Sequence, residues 1–392
     1  MPKNIWILVT AMVVNTTGAS FLWPLITIYM HNHLGKSLAF AGLILMFSNA
    51  ASIVGNLIGG TLFDKYSAYK TLLYGAGIVL SASTVLIFYN DILPFALCLI
   101  FINFGSGITW PIMFALAGSV WPEGGRRSFN ALYVGNNLGV ALGATFGGLI
   151  ASISFQYIFI ANVLFFIAFL GIVIFTFKVM DQKSDPQMNT NVIEQRSKIE
   201  ERAPFIALLI LCIGFFVVTM TYAQWGSTIA AYTQDIGIPL EQYSILWAIN
   251  GFLIVVGQPL IKWITNVVKS EKVHLYIGHS IFILSVLVAL FAKDFTMFAV
   301  AMIIITIGEM LIWPAIPALA YRLAPKGKIG FYQGIVNSVG AAGRMTGPLL
   351  GGFIVDYFNI QLLFYILVGI LFLPFITTAI FDRGLKKENQ VG

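Results

Sequence analysis

Long apolar runs constrain the fold of this chain more than any other feature of its sequence. A helix needs about 20 mostly apolar residues to cross the hydrocarbon core of a bilayer, and twelve runs of that kind are separated by short polar breaks. The runs are apolar on all sides, whereas barrel strands would alternate apolar and polar residues. With 58% hydrophobic and 10% charged residues, the sequence predicts an all-α integral membrane protein. The predicted spans lie near 5–30, 38–63, 71–90, 93–120, 129–152, 156–177, 204–231, 241–261, 273–291, 295–321, 329–355 and 361–381.

The two halves of the sequence repeat at a shift of just over two hundred residues. GSGITWPIMFALAGSVWP (105–122) aligns with GEMLIWPAIPALAYRLAP (308–325), and GVALGATFGG (139–148) aligns with GRMTGPLLGG (343–352) after one more residue of shift. The polar stretch at the middle of the chain has the composition of a linker. This pattern predicts a parallel duplication of two six-helix bundles. The expected parts are a bundle at 1–177, a linker at 178–203 and a bundle with a short tail at 204–392.

Lys and Arg are distributed unevenly between the polar breaks. An even number of spans puts both termini on one side, and nineteen Lys and Arg residues fall on that side, whereas Lys36 and Lys293 fall on the other. Because basic residues concentrate in cytoplasmic loops, the termini are predicted to be cytoplasmic. The net charge of +6 then reflects topology and does not require nucleic-acid binding. Compact loops favour a multi-pass protein of a bacterial plasma membrane, and we expect a monomer.

Two local motifs carry a resemblance to a known family. The break after the second run reads GGTLFDKYSAYK, similar to a GxLxDRxGRR pattern, and the eleventh run contains GIVNSVGAAGRMTGPLLGG. Together with twelve spans and a parallel repeat, these motifs resemble the major facilitator superfamily over essentially the whole chain. The glycine motif is similar to that of the drug:proton antiporter group, which carries it on the fifth helix. Here the fifth run has Ala144 in place of the proline, and the complete copy is on the eleventh.

The resemblance implies that the motif residues serve conformational change. Asp64 is expected to form a charge contact between helices, although Ser67, Ala68 and Tyr69 depart from the family pattern and leave its basic partner open. Glycines spaced by four form a stripe along which another helix backbone can approach closely, and a proline can bend its helix. A packing contact without a role in transport is an equal interpretation of the stripe. The motif residues are Gly60, Asp64, Lys65, Gly139, Gly143, Gly147, Gly334, Gly343, Gly347, Pro348, Gly351 and Gly352.

One acid and one base lie deep inside the predicted spans. Glu309, in ITIGEMLIWP, and Arg344 fall near the middle of successive helices, and the repeat partner of Glu309 is Ser106. A charge at that depth costs about 2.5–3.5 kcal/mol on insertion scales, and pairing offsets part of this cost. We predict that Glu309 and Arg344 lie close together, with Glu309 as the proton carrier and Arg344 biasing its proton affinity. A permanent ion pair that fixes helix register is the alternative.

The resemblance places a substrate cavity near the membrane midplane, lined mainly by the first, fourth, seventh and tenth helices. Aromatic and uncharged amide side chains on these helices, and on the fifth and eleventh, suit a large and mostly apolar guest. For each residue, packing or anchoring at the membrane interface is the alternative. The candidates are Asn15, Trp23, Asn103, Trp110, Asn136, Asn137, Tyr222, Gln224, Trp225, Trp313 and Asn337.

These features predict a secondary transporter that exports amphipathic or drug-like small molecules in exchange for protons by alternating access. Uptake driven by protons, or flipping of a lipid-like substrate, are alternatives on the same fold, and a membrane sensor or enzyme is a third. An enzyme is not expected, because the sequence shows no nucleophile with a base and no metal-ligand spacing. Without a nucleotide-binding loop, a proton gradient is the expected energy source and no cofactor is needed. The expected partners are protons, a small molecule and membrane lipids.

Overall fold

The chain folds into helices joined by short turns. A computed structural model describes residues 1–22, 26, 29–36, 38–151, 153–178 and 202–385, and these ranges contain helices and turns but no strand. The predicted linker at 178–203 lies outside them except at its ends. Helix is the state that lipid favours, because it satisfies the backbone hydrogen bonds within one segment.

Twelve helical spans follow one another in the described ranges, as the sequence predicts. In these ranges nine helices are long and apolar enough to cross a membrane, and the bent eighth span makes ten. The fifth and eleventh, which carry the glycine motifs, complete the set. The spans are α1 Lys3–Leu22, α2 Leu38–Lys65, α3 Ala68–Phe88, α4 Ile92–Val120, α5 Arg126–Ala151, α6 Phe155–Phe177, α7 Arg202–Asp235, α8 Leu240–Val256 with Gln258–Val267, α9 Glu271–Leu290, α10 Phe295–Leu323, α11 Ile329–Tyr357 and α12 Ile360–Leu385.

Four spans of the second half are interrupted. A 3-10 turn at Gln224–Gly226 divides α7, and α8 bends by 52° between its two segments. A proline lies at or just after the break in α8, α10 and α12, namely Pro259, Pro314 and Pro374. Proline removes a helical donor and clashes with the preceding turn. Yet Pro111, the repeat partner of Pro314, lies inside an unbroken α4, so the duplicated halves differ in helix continuity.

The described chain divides into two compact units. The first contains α1–α6 together with residues 324–341, and the second contains α7–α10, α12 and the part of α11 from residue 342 onward. The boundary therefore falls inside α11. The domain limits expected from the sequence remain a prediction.

In the first unit the glycine stripe of α5 lies against α1. A Cβ atom placed on Gly139 would lie 2.8 Å from the backbone oxygen of Val13, and one placed on Gly143 would lie 2.5 Å from that of Thr17. Side-chain atoms do not normally approach a backbone so closely, so these two helices pack at a distance that glycine permits.

The second unit repeats this arrangement with α11 against α7. A Cβ atom on Gly343 would lie 2.9 Å from the backbone oxygen of Phe216, and one on Gly347 would lie 2.6 Å from that of Met220. Pro348 lies inside α11 without interrupting it. The close approach that the glycine spacing predicts is therefore present within both units.

A second glycine contact recurs where the third and fourth spans of each half cross. In the first unit, a Cβ atom on Gly105 of α4 would lie 2.7 Å from the backbone oxygen of Gly75 in α3. In the second unit, one on Gly308 of α10 would lie 3.1 Å from that of Gly278 in α9. Both residues of the second pair follow those of the first by 203 positions. The duplication is thus present in helix packing as well as in sequence.

Replacing Gly143 by Ala tests the contact between α1 and α5. The added methyl group would meet the Thr17 backbone oxygen at 2.5 Å, and overpacking of this kind costs about 1–3 kcal/mol. Gly77→Ala in α3 is the matched control, because nothing lies within 4 Å of its methyl group and both variants gain the same helix propensity. We expect a lower melting temperature for purified G143A in detergent and an unchanged or higher one for G77A. Equal melting temperatures would contradict the proposed packing.

Candidate functional site

The deep acid predicted from the sequence is buried inside the second unit. Glu309 lies in the last turn of the first segment of α10, and only 4% of its surface is exposed. Asp294 caps the start of this apolar segment by accepting a hydrogen bond from Met297 N at 3.0 Å, and Pro314 follows its end. The adjacent Gly308 lets α9 approach closely. The local sequence therefore fixes the acid among packed helices.

Neutral donors from two neighbouring helices reach the Glu309 carboxylate. Asn250 of α8 donates from Nδ2 to Glu309 Oε2 at 3.0 Å and to Thr306 Oγ1 at 2.9 Å. The hydroxyl group of Tyr222, in α7, interacts with the same carboxylate and with the Asn250 amide. Thr306 and Asn250 are buried like Glu309. We call these four residues, Tyr222, Asn250, Thr306 and Glu309, the carboxylate cluster.

The carboxylate cluster has the composition that a buried charge requires. An ionised carboxylate away from water is costly unless it accepts hydrogen bonds, and bonds to a charged acceptor are stronger than those between neutral groups. Amide and phenol donors supply such bonds without adding a charge of their own. A carboxyl group in this setting can gain or lose a proton when its hydration or its partners change.

Aromatic rings surround one side of the carboxylate cluster. The Tyr222 ring lies 5.2 Å from the Trp313 ring and 6.1 Å from the Trp247 ring, measured between centroids. Trp313 in turn packs against Phe215 at 5.9 Å and against Phe282 at 6.0 Å. Tyr222, Trp247 and Trp313 are all half-buried. Their rings offer apolar contact area beside a polar centre, which suits an amphipathic guest.

The structure does not pair Arg344 with Glu309. The Arg344 side chain is exposed, and within the described ranges it has neither an ion pair nor a hydrogen bond. The carboxylate instead has amide and phenol partners. The permanent ion pair considered as the alternative is therefore absent in this structure, whereas the closeness of the two residues and the role of Arg344 in biasing the proton affinity remain predictions.

Two predicted cavity residues of the second unit lie in its packed interior. Gln224 and Trp225 are each 1% exposed. Gln224 donates from Nε2 to the backbone oxygen of Gly347 at 2.7 Å, and the Thr228 hydroxyl donates to Gln224 Oε1 at 2.8 Å. The Trp225 ring packs edge-on against Phe298. In this structure both residues stabilise the break in α7 and present no surface to a ligand.

In the first unit, three predicted cavity residues bind their own helices. Asn103, Asn137 and Asn337 each donate from Nδ2 to the backbone oxygen four residues earlier, at 2.8–2.9 Å. A side-chain amide in an apolar span can satisfy a donor in this way without a partner helix. These three residues do not form a common cluster through hydrogen bonds.

The remaining candidates of the first unit lie in separate environments. Asn15 is buried, Asn136 accepts a hydrogen bond from Thr16 Oγ1 at 3.1 Å, and Trp110 is half-buried and stacks on Phe114. Trp23 lies outside the described residues. Their assignment to a substrate cavity remains a prediction.

Asp64 binds the first turn of α11 within the first unit. Its Oδ1 accepts from Gly330 N and its Oδ2 from Phe331 N, both at 2.8 Å. The first amides of a helix lack partners within it and carry the positive end of the helix dipole, so they suit a carboxylate. Gly60, one turn earlier in α2, lets the backbone of Gly330 approach closely. The contact expected for Asp64 thus uses backbone donors, and the exposed Lys65 is not needed for it.

Asn250 and Thr306 join the site although neither was predicted from the sequence. Thr306 precedes Glu309 by three residues and so lies on the same face of α10. Asn250 is a polar residue within the otherwise apolar stretch LWAINGFLIVV. Both signals are present, but the sequence does not indicate which helices bring them together.

Comparison with known proteins gives consistent matches over the whole chain. The family model described as Major Facilitator Superfamily matches residues 8–339 and 211–391. A relative from Bacillus subtilis (strain 168), named as the uncharacterized MFS-type transporter YttB, is 48% identical over 391 residues, which are 100% of this chain and 98% of the relative. A Na(+), Li(+), K(+)/H(+) antiporter from Planococcus maritimus is 23% identical over 371 residues and 85% of each chain. The crystal structure of a Major Facilitator Superfamily transporter, FucP, in the outward conformation has a TM-score of 0.78 at 14% identity, covering 97% of this chain and 98% of that one.

Replacing Asp64 by Asn tests the contact with the first turn of α11. The variant loses the charge and one acceptor oxygen, which we expect to destabilise the protein by roughly 1–2 kcal/mol. Asp356→Asn, at an exposed position of α11, is the control. We expect D64N to lower the melting temperature and to speed amide hydrogen exchange at the start of α11. D356N should change neither the melting temperature nor this exchange. Unchanged exchange at Gly330 and Phe331 in D64N would contradict the assigned contact.

Proposed function

Since the chain belongs to the major facilitator superfamily of transporters, we propose that it exports amphipathic small molecules in exchange for protons by alternating access. The observation that carries this proposal is the buried Glu309 carboxylate with its amide and phenol donors. Ionisable residues inside membrane spans are commonly parts of proton or ion pathways, because their cost is otherwise hard to sustain. Glu309 is the proton carrier in this mechanism.

The proton and the substrate compete for one negatively charged region. When Glu309 is ionised, its charge and the neighbouring ring faces favour a guest that is apolar and carries a positive charge. When Glu309 takes up a proton, that electrostatic attraction is lost and the guest is released. If the proton and the guest bind the Glu309 carboxylate in turn, the protein exchanges one for the other. Trp313, Tyr222 and Trp247 supply the apolar contact area for this step.

A second candidate is the exchange of an alkali cation for protons. The relative from Planococcus maritimus is named as an antiporter of Na(+), Li(+) and K(+) against protons, and a single carboxylate with oxygen-bearing neighbours can also bind a monovalent cation. Uptake in the opposite direction and flipping of a lipid-like molecule remain alternatives on the same fold. In the proposed arrangement the protein is a monomer of the bacterial plasma membrane, surrounded by lipid, with both termini in the cytoplasm.

Purified protein in liposomes with an imposed pH gradient tests the proposal. Tetraphenylphosphonium, a fluorescent phospholipid, and Na⁺, Li⁺ and K⁺ are offered separately while internal pH and probe flux are followed. We expect proton movement coupled to flux of the lipophilic cation. Coupling to an alkali cation alone would support the second candidate, and proton movement that is the same with and without every probe would contradict both.

The variant Glu309→Gln tests the assigned proton carrier. Gln keeps the size of the side chain and cannot ionise, so we expect pH-driven flux to fall to background while folded protein remains in the membrane. Glu123→Gln, at an exposed turn after α4, is the control and should transport like the wild type. Undiminished proton coupling in E309Q would rule out Glu309 as the carrier.

A further inference from the structure

The hydrogen bonds of the carboxylate cluster depend on the protonation state of Glu309. We propose that Asn250 is a positioning residue: it holds the ionised Glu309 from α8 through a charge-assisted bond that weakens when Glu309 is protonated, so that proton uptake loosens the link between α8 and α10. This inference rests on the proposed function, in which Glu309 carries the proton. It assigns to α8 a role that the sequence motifs do not indicate.

The orientation of the Asn250 amide is fixed by its neighbours. The Thr306 hydroxyl donates to the Met302 backbone oxygen at 2.6 Å, so its oxygen is left to accept from Asn250. Glu309 Oε2, when ionised, can also only accept. Asn250 must therefore direct Nδ2 toward both oxygens, which lie 2.9 Å and 3.0 Å from it. A reversed amide would place its oxygen against two acceptors.

Protonation removes the basis of this arrangement. A protonated carboxyl group carries one O–H donor and one neutral carbonyl oxygen, and Asn250 Nδ2 can donate only to the carbonyl oxygen. The charge-assisted bond from Asn250 is thereby replaced by a weaker neutral bond. Tyr222 can adapt by rotating its hydroxyl, whereas Asn250 is held by Thr306. The link between α8 and α10 is therefore the contact that responds most directly to the proton.

The bend of α8 lies two turns beyond Asn250. A Cβ atom on Gly257, at the bend, would lie 2.9 Å from Met310 Cε, and Gln258 Nε2 lies 4.0 Å from Met310 Sδ. Met310 directly follows Glu309 in α10. Thus α8 contacts α10 at the carboxylate and again at its bend. When the first contact weakens, the second remains as a pivot at the place where the helix is already bent by 52°.

The other titratable groups near Glu309 come from the helices that pack around it. Tyr222 of α7 interacts with the carboxylate directly, and Tyr243 of α8 lies near Tyr222. On α9, His279 lies within hydrogen-bonding distance of Thr378 Oγ1, at 3.2 Å, and so faces α12. Arg344 of α11 has no ion pair within the described ranges. The hydrogen bond from Asn250 is therefore the contact of α8 whose strength depends on the charge of Glu309.

Infrared difference spectroscopy of the reconstituted protein tests the assignment without a substrate. The carbonyl-stretch band of a protonated carboxyl group reports Glu309 once the spectrum of E309Q is subtracted, and its pH midpoint is measured. Asn250→Leu keeps the approximate size but removes the donor, so we expect the midpoint to move to higher pH by about one unit. Asn250→Gln, which keeps an amide donor, should restore most of the wild-type value.

Asn49→Leu is the matched control, because Asn49 of α2 donates to the backbone oxygen of Leu45 on its own helix, at 2.8 Å. The infrared pH midpoint of Glu309 in Asn49→Leu should equal that of the wild type. A wild-type midpoint in Asn250→Leu would overturn the assignment. If Asn250→Leu keeps the wild-type midpoint while E309Q loses proton coupling, the role of Asn250 is overturned and the proposed function stands.

Hydrogen exchange of the wild-type chain provides a measurement that does not depend on the folding of an Asn250 variant. Exchange in residues 240–256 is followed as the pH falls through the infrared midpoint and is compared with E309Q at each pH, which corrects for the intrinsic pH dependence. We expect α8 of the wild type to lose protection relative to E309Q below the midpoint. A constant ratio across the midpoint would contradict loosening of α8 by protonation.

Discussion

The core of a bilayer offers no water to a polar group, and the hydrogen bonds of this chain follow from that constraint. Backbone groups are satisfied within helices, and several buried or half-buried amides, such as Asn103 and Asn137, donate back to their own helix. Glu309 cannot be satisfied in this way, because an ionised carboxylate has no proton to donate. It needs donors from other helices, and α7 and α8 supply them. The acid therefore organises the helices around it.

Close helix packing makes this organisation possible. The contact of Gly308 with α9 leaves little space beside Glu309, and the breaks in α7, α8 and α10 lie within two helical turns of the carboxylate cluster. Straight helices at these places would present their side chains in a different register. Polar chemistry and helix interruption thus occur together in the second unit. The corresponding α4 of the first unit is continuous and has Ser106 where α10 has Glu309.

The sequence was sufficient for the fold and for part of the site. Run length predicts the spans, and glycines spaced by four predict the close contacts of α5 with α1 and of α11 with α7. The partners of Glu309 could not be predicted, because a helix that is apolar all round does not indicate how it is rotated about its axis. Arg344 was therefore the expected neighbour on depth alone, whereas Asn250 is the observed one. For the same reason the sequence did not indicate that Gln224 and Trp225 are packed inside the unit.

The repeated glycine crossing also bears on how such a transporter can diversify. Because backbone meets backbone at Gly75 with Gly105 and at Gly278 with Gly308, the crossing does not depend on the identity of the next side chain. The position after the fourth-span glycine, Ser106 in one half and Glu309 in the other, can therefore change while the architecture is kept. After duplication, one copy was able to acquire an ionisable group and the other to stay neutral. Under the proposed function, a change of coupling ion requires substitutions in one unit, with no redesign of the scaffold that both inherited.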